Sequence, residues 1–169
     1  IKIMKIMKIK ILRIIGTLNP EYGGPANAII DHSHALIQKG YDVSIITSDK
    51  KNSKYYKWNK IKIINLGPAL GKYKLNPKLF FWLKKNRHKF KSFFVHGLWQ
   101  FNTLAARLLL KKDFYVFSHG QLDPYFKLEF FKCLKKKIYW SLIEKSNLIY
   151  SKSLLLTSNN EKKLIKHTY

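Results

Sequence analysis

The chain has 169 residues, 46% of them hydrophobic and 15% aromatic, which is enough for one domain with a sizeable core and excludes a disordered chain. A formal charge of +24 admits nucleic acid, an anionic membrane or an acidic substrate as partner. Only Arg13, Arg87 and Arg107 are arginines, however, and the lysines are scattered along the chain instead of clustering on one element, which favours compositional bias with membrane-surface attraction over a specific nucleic-acid site.

The opening "IKIMKIMKIK" is charged at every second or third residue and lacks the apolar region of a signal peptide. "MKIKILRIIGT" from Met7 reads as a natural beginning, so residues 1–6 are expected to be an upstream extension and 7–169 the domain. Apolar runs follow at 9–16, 42–47, 60–67, 92–97, 114–120 and 153–159. Most are continuous, the pattern of strands buried on both faces. Between them, 25–39 carries an apolar stripe through Ala26, Ile29, Ile30, Ala35 and Leu36, and 101–112 and 127–150 read as further helices. The polar, lysine-rich stretch from Asp49 to Lys62 reads as an exposed loop. This alternation predicts an α/β fold, a doubly wound parallel Rossmann-like sheet of about six strands with right-handed crossovers. Cys133 is the only cysteine and lies in a helix-like apolar run, so no intrachain disulfide exists and a small buried side chain in a cytoplasmic protein is expected.

Ligands of such sheets bind at the carboxyl ends of the strands. Three places qualify: "PEYGGPANA" after the first strand, where Gly23 and Gly24 open a helix whose amides and dipole suit a phosphate; "VHGLW" after the fourth; and "SHGQLDP" after the fifth. His96 and His119 each end a strand, and the glycine that follows leaves room for a ligand. Metal chemistry has little support, since His32 and His34 of "DHSH" point to different helix faces. Asp123 reads as a turn residue, Glu144 as solvent-facing or paired with lysine, and Asp49 as an ordinary loop residue.

The segments "ILRIIGTLNPEYGGPANAI", "VHGLWQFNTLAARLLL", "YVFSHGQLDPYF", "KKKIYWSLIEKSNL" and "LLLTSNNEKKLI" together resemble the N-terminal domain of the group 4 family of retaining glycosyltransferases. That family has the GT-B architecture, two Rossmann-like domains facing each other across a cleft, and the likeness is greatest to enzymes that assemble bacterial surface polysaccharides. The resemblance implies a nucleotide-sugar donor, no further cofactor and no metal, and a polysaccharide or lipid-linked glycan as acceptor. Gly23 and Gly24 would lie under the donor diphosphate, His119 would touch the transferred sugar as the catalytic-site histidine, and His96 and Trp99 would shape the acceptor side. The family's donor-binding domain is not in this sequence, so a C-terminal domain or partner chain is expected to supply it.

The segment "KLEFFKCLKKKIYWSLIEKSNLIYSK" has an apolar stripe through Leu128, Phe131, Leu134, Ile138, Leu142 and Ile143. The expectation is that this stripe packs on the sheet. Phe130 and Trp140, with Lys132, Lys135, Lys136 and Lys137, would then rest on the inner face of the cytoplasmic membrane. Two rival readings remain: a dinucleotide enzyme, against which "GTLNPEYGG" does not fit G-x-G-x-x-G, and a basic module binding nucleic acid or membrane without catalysis, for which "KNSKYYKWNK" offers aromatics between lysines.

Overall fold

The computed structural model describes residues 8–53, 55, 61–122 and 130–167. Six parallel strands, β1 (Lys10–Ile15), β2 (Asp42–Thr47), β3 (Lys62–Asn65), β4 (Ser92–His96), β5 (Phe114–Phe117) and β6 (Ser153–Leu155), form one sheet in the order β3-β2-β1-β4-β5-β6. The helices are α1 (Gly24–Gln38), α2 (Pro77–Asn86), α3 (Phe101–Leu110), α4 (Phe130–Tyr139), α5 (Lys145–Ile149) and α6 (Asn159–Leu164). A π-helical turn, Trp140–Glu144, joins α4 to α5.

This is the α/β Rossmann-like sheet that the apolar runs predict. Two details differ. β6 keeps only three residues, because Ser158 caps α6 by accepting from the Glu161 N–H and so takes the chain out of the sheet. α2 was not expected; Asn76 caps it by accepting from the Lys78 N–H, and Pro77 occupies its first turn.

Side chains alternate across the sheet. Leu12, Ile14, Ile46, Phe93, Val95, Phe114 and Val116 share one face, where Leu79 and Leu83 of α2 and Ala105, Ala106 and Leu109 of α3 bury them. On the other face α1 sets Ala26, Ile29 and Ile30 against Ile15 and Ile45. That second face is covered unevenly. Phe94 and Tyr115 stack with centroids 5.1 Å apart, and Phe94 and Phe117 border an open hollow of about 310 Å3 beside Ala35 and Leu36 of α1. The expected stripe of α1 therefore holds only in part, with Ala26, Ile29 and Ile30 buried while Ala35 is exposed.

The segment 49–62, expected to be an exposed loop, is exposed at Lys50, Lys51 and Asn52 but buried at Asp49 and Ile61. Asp123 lies outside the described residues, as do the side chains of Phe130, Phe131, Lys132 and Cys133.

The uneven cover sets relative packing energies. Leu12→Ala, in the closed layer, should lower the unfolding free energy by about 3 kcal/mol. Phe94→Ala should lower it by less than half as much in the same urea titration. Equal losses would mean that the open half is packed as tightly as the closed one.

Candidate functional site

Strand order reverses between β1 and β4, and the register sets Ile15 beside His96 and His96 beside Phe117. The strand ends are thus level at the switch point, the position where open α/β sheets take ligands. A cleft of about 650 Å3 opens there, bordered by Gly16, Tyr22, Lys72, Lys74, His96 and His119. Gly16 lets the Gln100 side chain lie close over the end of β1: a Cβ there would stand 2.3 Å from Gln100 Oε1, which would have to move aside.

The loop after β1 is held by a buried carboxylate. Asp49 Oδ1 accepts from Thr17 Oγ1 at 2.6 Å, and Oδ2 accepts from the Leu18 N–H at 2.8 Å. Asp49 is therefore a structural clamp and not the ordinary loop residue that its lysine neighbours imply. Gly23, at φ +96°, caps α1, but its N–H already donates to the Pro20 carbonyl at 3.0 Å. Of the Gly23 and Gly24 amides expected to meet a phosphate, that leaves Gly24, the first residue of α1. Tyr22 closes the loop toward Lys74, whose Nζ lies 5.5 Å from the ring centroid.

The floor of the cleft is a histidine pair. His96 Nδ1 and His119 Nε2 are 2.9 Å apart, and His96 also stacks on Phe117 at 4.8 Å. Behind it, Arg13 Nε donates to His96 Nε2 at 3.2 Å. Burial takes the His96 pKa well below its ordinary value, and the nearby Arg13, His119 and His32 add to the effect. Burial also lowers His119; Glu161 opposes that shift, while Arg13 and His32 reinforce it. Both shifts favour the neutral imidazole.

Trp99 and His119 adopt left-handed backbone conformations, with φ of 62° and 49°. Such conformations cost about 1–3 kcal/mol for non-glycine residues and persist only where neighbours enforce them. Each loop has its own glutamate. Glu144 is fully buried and accepts from the Trp99 N–H at 3.3 Å, from Thr103 Oγ1 at 3.2 Å and from Asn147 Nδ2 at 2.9 Å. Glu161 accepts from Ser118 Oγ, from the Gly120 N–H at 2.7 Å and from the Thr157 N–H at 2.7 Å, gripping the His119 loop from both sides. The sequence reading of Glu144 as solvent-facing or lysine-paired is thus corrected: its carboxylate meets buried donors that water cannot reach. Glu161 was not singled out, although Ser158-x-x-Glu161 is a readable helix-start signature.

Trp99 is turned from the cleft. Its Nε1–H donates to the Gln121 carbonyl, its ring packs on Tyr139 and Trp140, and Lys136 Nζ sits 5.3 Å from the ring centroid. The α4 stripe is also reversed from expectation. Leu134, Ile138 and Leu142 are 48%, 52% and 71% exposed, whereas Trp140 packs against the core. The indole has more apolar area to bury than the aliphatic side chains, so it takes the inner side. Lys135 and Lys137 are exposed on this helix, while Lys136 is half-buried over Trp99.

Among the described residues no group of three or more His, Cys, Asp or Glu is placed to hold a metal ion, and no helix is long and apolar enough to cross a membrane. No protein-family model matches the chain, and no curated protein matches it. Among solved structures it resembles one described as a UDP-N-acetylglucosamine 2-epimerase from Listeria monocytogenes, with a TM-score of 0.57 and 12% identity. The match covers 95% of this chain and 42% of that one. The likeness bears on the fold.

The two glutamates titrate in opposite senses. Burial raises Glu161, but hydrogen bonds from Ser118, Thr157 and Gly120 outweigh it, leaving the pKa below the ordinary 4.5. The stability it contributes is present above that value and is lost as pH falls through the lowered one. Burial raises Glu144 despite its hydrogen bonds, so its contribution is present below the ordinary value and is lost as pH rises through the raised one. Glu161→Gln should cost about 1–3 kcal/mol at neutral pH, a deficit that shrinks on acidification. The deficit of Glu144→Gln should instead shrink as pH rises. Urea titrations across the acid range that show the same trend for both variants would refute the assignment.

Proposed function

We propose that this chain is the acceptor-side half of a nucleotide-sugar enzyme, a retaining glycosyltransferase of the group 4 family, moving a sugar to a polysaccharide or lipid-linked glycan. The observation that carries this reading is the hydrogen-bonded His96–His119 pair on the floor of a switch-point cleft, with its loop held by Glu161. A neutral imidazole can bond to a sugar hydroxyl without setting a charge beside the anomeric carbon. In retaining transfer the leaving diphosphate needs electrostatic help, and Lys72, Lys74 and the start of α1 bring positive potential to the cleft border. The remaining donor contacts would come from a second Rossmann-like domain or a partner chain. The Listeria structure's description, naming a UDP-sugar enzyme, supports the substrate class.

The chain alone should not turn over UDP- or GDP-sugars offered with a lipid-linked acceptor. Supplied with a complementary donor domain, it should transfer sugar with retention at the anomeric carbon. In that assembly, His119→Ala should lower kcat tenfold or more, about 1.4 kcal/mol, with a smaller change in acceptor KM. Conversion of UDP-N-acetylglucosamine to its C2 epimer in the absence of acceptor would replace the transferase reading with an epimerase one.

The same reading places the chain at an anionic membrane. Leu134, Ile138 and Leu142 recur every fourth residue on the exposed side of the helix, next to exposed Lys135, Lys137 and Lys145. Each lysine near such a surface contributes about 1 kcal/mol, screened by salt. The protein should sediment with anionic but not zwitterionic vesicles. Replacing Lys135, Lys137 and Lys145 with glutamine should release it, whereas replacing Lys78, Lys84 and Lys85 of α2 should not. Equal loss in the two triple variants would leave only bulk charge.

A further inference from the structure

Arg13 has no part in the reading above. It stands in the middle of β1 at 2% exposure, and its three acceptors are neutral: His96 Nε2 at 3.2 Å, the Ile29 carbonyl at 3.3 Å and Ser33 Oγ at 3.3 Å. Replacing a buried cation of this kind by a well-packed apolar side chain is commonly neutral or stabilising, so stability alone does not account for it.

The guanidinium dictates proton positions. Burial lowers the Arg13 pKa from its ordinary value only to about 10, so at neutral pH the group is charged and has donors alone. His96 Nε2, which accepts from Arg13, carries no proton, and a neutral His96 then has its single proton on Nδ1. That N–H points at His119 Nε2, 2.9 Å away, which must accept. His119 in turn holds its proton on Nδ1, the ring nitrogen left over for the cleft that it borders.

We propose that Arg13 is a positioning residue that fixes the tautomers of both histidines, so that His119 meets a ligand as an N–H donor at Nδ1 and never as a base. Protonating His119 would set two N–H groups against each other across 2.9 Å, and protonating His96 would add a third donor opposite Arg13. The charged and titratable groups that act on the pair are Arg13, His32 and Glu161, and only Glu161 favours a proton on His119. The ligand atom that fits such a donor is an oxygen acceptor, a hydroxyl or a phosphate oxygen. That use of Nδ1 rests on the function proposed above; the tautomers rest on the two hydrogen bonds alone.

The test is nitrogen NMR of the 15N-labelled chain at neutral pH without ligand, with the two imidazoles assigned by loss of signal in His96→Gln and His119→Gln. Both rings should show a protonated Nδ1 and a bare Nε2. A protonated Nε2 on either ring in the unmodified chain would overturn the proposal, whatever any variant does. Arg13→Met removes the donor and should let His96 populate the Nε2-protonated form, shifting its two nitrogen signals toward each other, while Arg13→Lys, which keeps a cationic donor, should retain the original pattern. An Arg13→Met spectrum identical to the parent would show that Arg13 does not set the tautomers. Because the readout needs no sugar nucleotide, failure of the transferase assay leaves this result untouched, and the reverse also holds.

Discussion

The cleft depends on the double pairing of β1. Bonded to β2 on one side and β4 on the other, this strand has its backbone groups satisfied in both directions, so its register cannot shift without moving the whole sheet. Arg13 pairs with Phe94 and Ile15 with His96, which puts Arg13 and His96 on the same face as diagonal neighbours although 83 positions separate them in the chain. A slip of one residue in β4 would turn His96 into the layer occupied by α2 and α3 and leave Arg13 facing no acceptor ring. The geometry of a side-chain relay is in this way inherited from a backbone ladder.

The strand ends alone would not hold the site. Trp99 and His119 are both kept in left-handed backbone by glutamates that lie later in the chain, Glu144 in the π-helical turn and Glu161 in α6. Loops at the ends of β4 and β5 therefore become rigid only when the last quarter of the described chain has packed. The π-helical turn Trp140–Glu144 brings Trp140 to the core and Glu144 to the Trp99 loop together, consistent with the use of such turns at functional positions.

The strands and most helices were legible because a parallel sheet buried on both faces leaves continuous apolar runs between helix-period segments. His96 and His119 were legible for a related reason, since a polar residue followed by glycine at a strand end is conspicuous after an apolar run. Charged residues were not. In a chain with 33 lysines and arginines, most carboxylates have a basic residue nearby in sequence, so Asp49 and Glu144 looked like loop or surface residues when each in fact accepts from buried donors. Arg13 was hidden by the same abundance, although a charge in the buried interior of "KILRII", with apolar residues on both sides, is the signal that could have revealed it. The helix from Phe130 to Ile149 shows a further limit: periodicity gives a stripe, but only the competition between Trp140 and the aliphatic side chains decides which side faces the sheet.

The distribution of acids around the cleft bears on the kind of chemistry it can support. No carboxylate borders the cleft among the described residues. Asp49 and Glu161, which hold the loops beside it, both accept from backbone N–H and hydroxyl groups, and for Glu161 these bonds outweigh burial and lower the pKa, which makes it a poorer base. The imidazoles are linked in one direction from Arg13. Positive charge stands at the border, on Lys72 and Lys74, apart from the floor. A site arranged in this way can bond to hydroxyls at its floor and offset negative charge at its border.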